Sequence, residues 1–401
     1  MLTGLLVIIY LSFISLGLPD SLLGSAWPSI SAGIGVPVSY AGIISMIMAG
    51  GTIISSFMSG RVVRKFGTGT VTAVSVLLTA LALLGISILP GFWWLCVLAV
   101  PLGLGAGSVD AALNNFVALH YKARHMNWLH CFWGIGATAG PVIMSMFLLQ
   151  TGGWKMGYQT IGFVQAALVA VLFVSLPMWK KAVPGKDNPA ENAAPRPPLG
   201  QVFKMPGAKA ALLVFFFYCA VETTTGLWGS SYLVASRGLS PEAAAQWISM
   251  FYLGITVGRF VCGFISMKLN NKTMIRIGQI IIGAGAALIF LPSGVLLLLG
   301  FLLTGLGCAP IFPAMLHETP VRFGKQLSQT LIGMQMGCAY IGATFMPPLF
   351  GAIAGYAGTS LLPCFLLAAL GGMAVAAEWI NRIMKSKSAA PIKAASTDSV
   401  L

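Results

Sequence analysis

Charge is what this 401-residue sequence has least of: 8% of its residues are charged, against 57% hydrophobic. A soluble chain of this length needs far more polar surface, so the balance excludes an ordinary soluble domain and points to a membrane protein. Acidic residues are the scarcer sign, nine against 23 Lys and Arg. The resulting formal charge of +14 does not imply nucleic acid, because the basic residues fall in short clusters between apolar runs rather than on one basic face. No Cys-x-x-Cys pair occurs. All seven cysteines (96, 131, 219, 262, 308, 338 and 364) lie in apolar runs, so buried, inert thiols are expected rather than disulfides or a metal site. A nucleophile–base pairing, an H-E-x-x-H spacing and a phosphate loop are also lacking, which argues against an enzyme. The first apolar run has no basic leader and no clear small-residue cleavage site, and is read as a retained helix.

What the sequence does have is apolar length. About 20 such residues cross a bilayer core about 30 Å thick. That measure predicts an all-α integral membrane protein with twelve spans, at 2–24, 38–60, 70–89, 93–117, 127–150, 156–178, 208–234, 243–266, 274–291, 294–317, 327–351 and 361–383. The 48 glycines fit, since Gly lets membrane helices pack closely.

Basic residues follow every even-numbered span: Arg61, Arg64 and Lys65; Lys122 and Arg124; the Lys180–Lys209 stretch; Lys268, Lys272 and Arg276; Arg322 and Lys325; and Arg382 onward. Lys155 and Arg237 alone lie on the other side. The positive-inside rule therefore predicts that both termini are cytoplasmic. Residues 179–207, rich in Pro and Lys, read as a cytoplasmic linker. The expected organisation is a six-helix bundle at 1–178, the linker, a second bundle at 208–384 and a tail at 385–401.

The two halves echo each other. Asp20-x-x-x-Gly24 matches Glu222-x-x-x-Gly226, Gly103-Leu-Gly105 matches Gly305-Leu-Gly307, and Gly136-Ala-Thr matches Gly342-Ala-Thr. A near-constant offset runs through all three, the mark of an internal duplication. Two pseudo-symmetric six-span halves on a cytoplasmic linker form the architecture of the major facilitator fold, with its solute site between the halves near mid-membrane.

Six of the nine acids fall in the linker, the tail or helix ends, where solvation or a nearby Arg or Lys suffices. Asp20, Asp110 and Glu222 remain inside spans. An ionised carboxylate there costs about 2.5–3.5 kcal/mol, and an intramembrane ionisable group is functional by default. No Lys or Arg is expected deep enough to pair with them, Arg259 being placed near a cytoplasmic end. An apolar setting also favours the protonated form of a carboxyl, which suits a proton-coupling site. Two plainer readings stand beside this one: an interfacial cap for Asp20 and a helix–helix hydrogen bond for Asp110. Counting along the helices puts Asp20 in the outer half of the membrane and Asp110 in the inner half.

Other polar groups sit nearby in the pattern. Asp110 and Asn114 share a helix face at i, i+4 spacing, with Asn115 beside them. Asn127, His130 and Gly134 form a stripe flanked by Trp133; span 7 adds Trp228 and Tyr232, and span 11 adds Gln335. Amides bond hydroxyls in both directions, and an indole face suits the C–H face of a sugar ring. His130 fits equally a neutral histidine held between helices and a ligand to solute or proton.

This set resembles the fucose–proton symporter family of the major facilitator superfamily and its sodium–glucose-transporter-like relatives. The resemblance spans essentially the whole chain. It rests on Asp20 in span 1, on Asp110 with Asn114 four residues later, and on the Asn127, His130, Phe132, Gly134 and Gly136 start of span 5. It implies proton-driven import of a monosaccharide or similar polyhydroxylated solute across a bacterial cytoplasmic membrane, by a carrier working as a monomer. Asp20 would be protonated in the cycle and Asp110 would link proton to sugar, with H⁺, or alternatively Na⁺, as coupling ion and no other cofactor. Asp110 is one methylene shorter than the family's usual Glu, and His130 stands where fucose carriers tend to have Gln. The superfamily's cytoplasmic gate loop corresponds to Gly60, Arg61, Arg64 and Gly67, without its usual Asp. Rival readings are a drug–proton antiporter, a sodium symporter using Ser21, Ser25, Thr223 and Thr225, and a non-transporting membrane receptor.

Overall fold

A computed structural model describes residues 2–88, 91–121, 123–149, 153–182, 199–266 and 268–395. All its described elements are helical. They run α1 (Leu2–Asp20), α2 (Leu22–Ile34), α3 (Ala41–Phe66), α4 (Thr68–Ile88), α5 (Phe92–His120), α6 (Ala123–Leu148) and α7 (Gly153–Ala182). There follow α8 (Leu199–Lys204), α9 (Ala208–Arg237), α10 (Pro241–Ile265), α11 (Asn271–Phe290), α12 (Gly294–Cys308), α13 (Ile311–Phe323), α14 (Lys325–Ala357) and α15 (Leu362–Ala395). Twelve segments are long and apolar enough to cross a membrane, as the sequence predicts.

Several boundaries differ from expectation, for local reasons. The first span is a joined pair, α1 and α2, running Gly4–Ile34 rather than stopping at residue 24. The tenth is also a pair, α12 and α13, over Gly294–Phe323. The expected tail at 385–401 begins as helix, since α15 continues to Ala395. Part of the linker is helical as well, at α8, while 183–198 lies outside the described residues. Where spans do end, turn chemistry ends them. Gly238, at φ 70°, closes α9 with bonds from its N–H to Val234 O and from Leu239 N to Leu233 O. Ser240 and Pro241 then open α10.

The break between α1 and α2 has a clear cause. Pro19 has no N–H, so the Ser15 carbonyl one turn back loses its helical partner. Gln165 of α7 replaces it, donating to Ser15 O at 2.7 Å, and Thr79 of α4 donates to Gln165 Oε1 at 2.6 Å. The helix is thus interrupted without leaving a buried acceptor bare, the condition for irregular backbone at membrane depth.

The internal repeat is visible in the packing. Gly103 and Gly105 of α5 bring it against the Met48 carbonyl of α3 and the Ser75 carbonyl of α4. Their repeat partners, Gly305 and Gly307 of α12, lie against the Phe251 carbonyl of α10 and the Gly278 carbonyl of α11. Gly136 meets Ile14 of α1 just as Gly342 meets Phe216 of α9. Each pair admits no Cβ, so the repeated glycines mark equivalent close helix crossings in the two halves.

The halves meet through α2 with α9, α3 with α14, and α6 with α10. Gly24 of α2 touches Gly226 of α9, its own counterpart in the repeat. Gly42 at the start of α3 lies against Pro348 late in α14. Of these contacts, Gly24–Gly226 lies near mid-span and Gly42–Pro348 at the end remote from Leu2. The near portion of the first span, α1, packs on α4, α5, α6 and α7 of its own half.

At the end nearer Leu2, acids and bases pair as expected. Arg276 of α11 grips Glu378 of α15 with two bonds at 2.7 and 2.8 Å. Arg322 of α13 donates to Glu318 at 2.7 Å, and Asn271 joins the same carboxylate at 3.1 Å. The cysteines are free, but only Cys219 and Cys308 are buried and Cys364 is exposed, which corrects the expectation of uniformly buried thiols. The gate-loop expectation also changes. Gly60, Arg61 and Arg64 belong to the continuous helix α3, and Gly67, at φ 81°, makes the turn to α4 almost alone. Arg61 is exposed; the side-chain surroundings of Gly60 and Arg64 lie outside the described residues.

Candidate solute and coupling site

Because the first span extends to Ile34, Asp20 falls close to its midpoint rather than in an outer half. Glu222 occupies the same place in α9, the repeat counterpart of that span. Asp20 is solvent-exposed although it lies mid-span. Its Oδ2 accepts a bond of 2.8 Å from Trp133 Nε1 of α6. A cap at the membrane edge would lie at an end of the span; this carboxylate lies at mid-span and is held against α6.

The same indole receives a group from the other half. The Arg259 guanidinium of α10 lies over the Trp133 ring, 5.3 Å from its centroid, within cation–π range. Arg259 also pairs with Glu222, Nη2 to Oε1, at 3.4 Å, with both side chains about 15% exposed. This corrects the expectation that no cation reaches the intramembrane acids. The reason is directional. Helical side chains lean toward the helix N-terminus, and α10 starts at the end remote from Leu2, so the long Arg259 side chain runs back to mid-span. The buried Tyr218 hydroxyl lies beside the guanidinium. Tyr252 of α10 completes this surrounding of Asp20 and Glu222.

Asp110 makes a second station on α5. Asn114 Nδ2 donates to its Oδ1 at 2.8 Å and to its carbonyl at 3.0 Å, so the predicted i, i+4 pair forms. Tyr340 of α14 faces Asp110 from the other half, with its hydroxyl beside Ser56 of α3. Asn115, one residue round the helix from Asn114, is exposed. His130 is half-buried and packs edge-on to Phe13, ring centroids 5.9 Å apart. The Asn127 side chain lies outside the described residues.

Three predicted solute contacts are not brought to this space. Trp228 is fully buried, stacked edge-on to Phe350 and donating to Pro347 O at 2.9 Å. Tyr232 donates to Ile289 O at 2.8 Å and accepts from Arg237, whose Nη2 also caps the Ile289 and Phe290 carbonyls at the end of α11. Gln335 is buried, accepts from Thr319 at 3.0 Å, and leaves its Nε2 without a partner. Their residue types suited a sugar, but their helix faces turn into the second bundle. Arg259, Tyr218 and the Gln165–Thr79 pair were missed. A lone arginine within an apolar span was itself the available signal for Arg259.

The architecture is that of a twelve-span helical membrane transporter. The family model for the Major Facilitator Superfamily matches residues 9–241 and 210–398, and the chain belongs to that family. It is 23% identical over 366 residues to the glucose/mannose transporter GlcP of Bacillus subtilis, covering 88% of each chain. It is 22% identical over 397 residues to bypass of stop codon protein 6 of Saccharomyces cerevisiae, covering 89% of this chain and 79% of that one. With the hexuronate transporter of Bacillus subtilis it shares 24% over 269 residues, 64% of this chain and 63% of the relative. Among solved structures, a bacterial homologue of the human lysosomal transporter Spinster superposes with a TM-score of 0.73 at 13% identity, covering 96% and 97% of the two chains. The nucleoside transporter NupG gives 0.73 at 14%, covering 94% and 98%. The protein is a membrane transporter for small-molecule solutes, not an enzyme.

Proposed function

We propose that the protein is a proton-coupled symporter importing a neutral monosaccharide or similar small polyhydroxylated solute by alternating access. Residues 1–178 rock against 208–384, both termini lie in the cytoplasm, and a monomer suffices. The observation that carries this reading is Asp20: a carboxylate at mid-span, open to solvent, held by a neutral N–H donor and by no ion-pair partner among the described residues. Such a group can load and release a proton as access alternates.

The charge balance of the cluster supports a neutral solute. Asp20, Asp110 and Glu222 face a single described cation, Arg259, which Glu222 already engages. A free carboxylate solute would enter an acidic space and compete with Glu222 for Arg259. The glucose/mannose relative fits this preference better than the hexuronate one. With the orientation expected from the basic clusters, the Gly42–Pro348 crossing lies at the outer end, which supports an inward-open resting state.

The same acidity favours a second reading, exchange of amphipathic cations for protons. Sodium coupling is a third reading, since Ser21, Ser25, Thr223 and Thr225 donate to backbone carbonyls and keep their oxygen lone pairs free. A thermal-shift panel of neutral sugars, sugar acids, nucleosides and lipophilic cations, at two pH values with and without sodium, separates these. Stabilisation by a neutral sugar that depends on pH and not on sodium is expected. Stabilisation confined to lipophilic cations would overturn the proposal.

A further inference from the structure

Four side chains form an unbroken line across the bundle interface. Asp20 of α1 accepts from Trp133 of α6, Arg259 of α10 covers the Trp133 ring, and Glu222 of α9 pairs with Arg259. The first two belong to one half and the last two to the other. The next residue of α6, Gly134, lies against Thr256 of α10, and about a turn further on the Thr138 and Thr256 hydroxyls are 3.4 Å apart. The line therefore sits beside a close α6–α10 contact, where small displacements of one half against the other are felt at once.

We propose that Trp133 and Arg259 are positioning residues that transmit the charge state of Asp20 to the Glu222 ion pair, and so couple proton loading in the first bundle to rearrangement of the second. This rests on the proton-coupled reading above and deepens it. An ionised Asp20 makes a charge-assisted bond with the indole N–H, which fixes the ring and enriches its π face. The fixed ring then holds the guanidinium from the second bundle. Protonating Asp20 weakens the bond, frees the ring and loosens that hold. Arg259 then withdraws to Glu222 and to the adjacent Tyr218 hydroxyl, within its own bundle. The long 3.4 Å contact with Glu222 fits a guanidinium shared between two claims. The other charged or titratable groups facing Asp20 are Asp110 of α5 and Tyr252 of α10, while His130 of α6 faces Arg259. Asp110 is hydrogen-bonded by Asn114 and His130 packs edge-on to Phe13, both within the first half.

The test needs no solute. Asp20→Asn stands in for the protonated carboxyl, and backbone hydrogen exchange is followed by mass spectrometry in the full-length protein in nanodiscs at one pH. The substitution should change exchange in α9 and α10 peptides around Glu222 and Arg259 by about threefold or more, the scale of a local opening equilibrium shifting by a fraction of a kcal/mol. In a Trp133→Phe background, which keeps a ring but removes the N–H, the effect of D20N should shrink to α1 and α6. An Arg259→Gln background should do the same, and Arg259→Lys should restore part of the response. If α9 and α10 respond to D20N equally in W133F and wild type, the link is refuted. If they do not respond in wild type at all, it is refuted as well. Neither result touches the transport proposal, which the solute panel on the wild-type protein tests separately. Should R259Q fail to fold, W133F carries the test alone.

Discussion

The first span and the seventh are repeats of one another, yet the protein has built them differently. The first is cut at Pro19–Ser21, and its carboxylate, Asp20, sits at the cut held by an indole N–H, with no ion-pair partner among the described residues. The seventh, α9, is one unbroken helix of 30 residues whose carboxylate, Glu222, is tied to Arg259. Their glycines four residues on, Gly24 and Gly226, touch each other where the halves meet. A duplicated element has thus yielded one labile member and one anchored member. An unpaired acid on a bendable helix can change charge with little penalty to the fold, whereas an ion-paired acid on a straight helix preserves geometry.

Substituting the two acids is the most direct way to break this comparison. Asp20→Asn should eliminate pH-driven accumulation in proteoliposomes while sparing solute exchange and leaving thermal stability near wild type. Undiminished accumulation against a gradient would remove Asp20 from the coupling role. Glu222→Gln should act in the opposite sense on stability. It strands the Arg259 charge, at a cost of about 2–3 kcal/mol, read as a lowered melting temperature. The double change Glu222→Gln with Arg259→Gln should recover part of that loss, because no uncompensated charge remains. A Glu222→Gln protein as stable as wild type would mean that the anchored member is not anchored.

A smaller effect sharpens the same contrast from the side of the break. Gln165→Leu removes the donor that satisfies the Ser15 carbonyl, while the Thr79 hydroxyl keeps its bond to Val76 O. A loss of about 1–2 kcal/mol is expected, along with faster hydrogen exchange in α1 than in α9. Equal exchange in the two helices would show that the interrupted span is as rigid as its repeat.

Much of this was legible in the residues themselves. Twelve spans, the two-fold repeat and the three intramembrane acids follow from local quantities: apolar length, the order of small residues, and the cost of a charge in hydrocarbon. The i, i+4 bond from Asn114 to Asp110 is equally local, since helix geometry alone brings those two side chains together. Gly24 and Gly226 were paired by the repeat before the fold placed them in contact.

Other features depended on distances between helices far apart in sequence, which no periodicity encodes. Arg259 looked peripheral because its Cα is, and only the lean of its side chain along α10 carries the charge to Glu222 and Trp133. Trp228, Tyr232 and Gln335 had the right chemistry for a solute contact, but rotation of α9 and α14 about their axes turned them into the second bundle. Asp20 was visible as an isolated acid, while its depth was set by α2 continuing to Ile34 past a helix break that Gln165 supports from α7. The sequence by itself determined which groups are too costly to be in the membrane without purpose. The tertiary structure decided which of them meet, because a partner several helices away is chosen by packing and not by spacing along the chain.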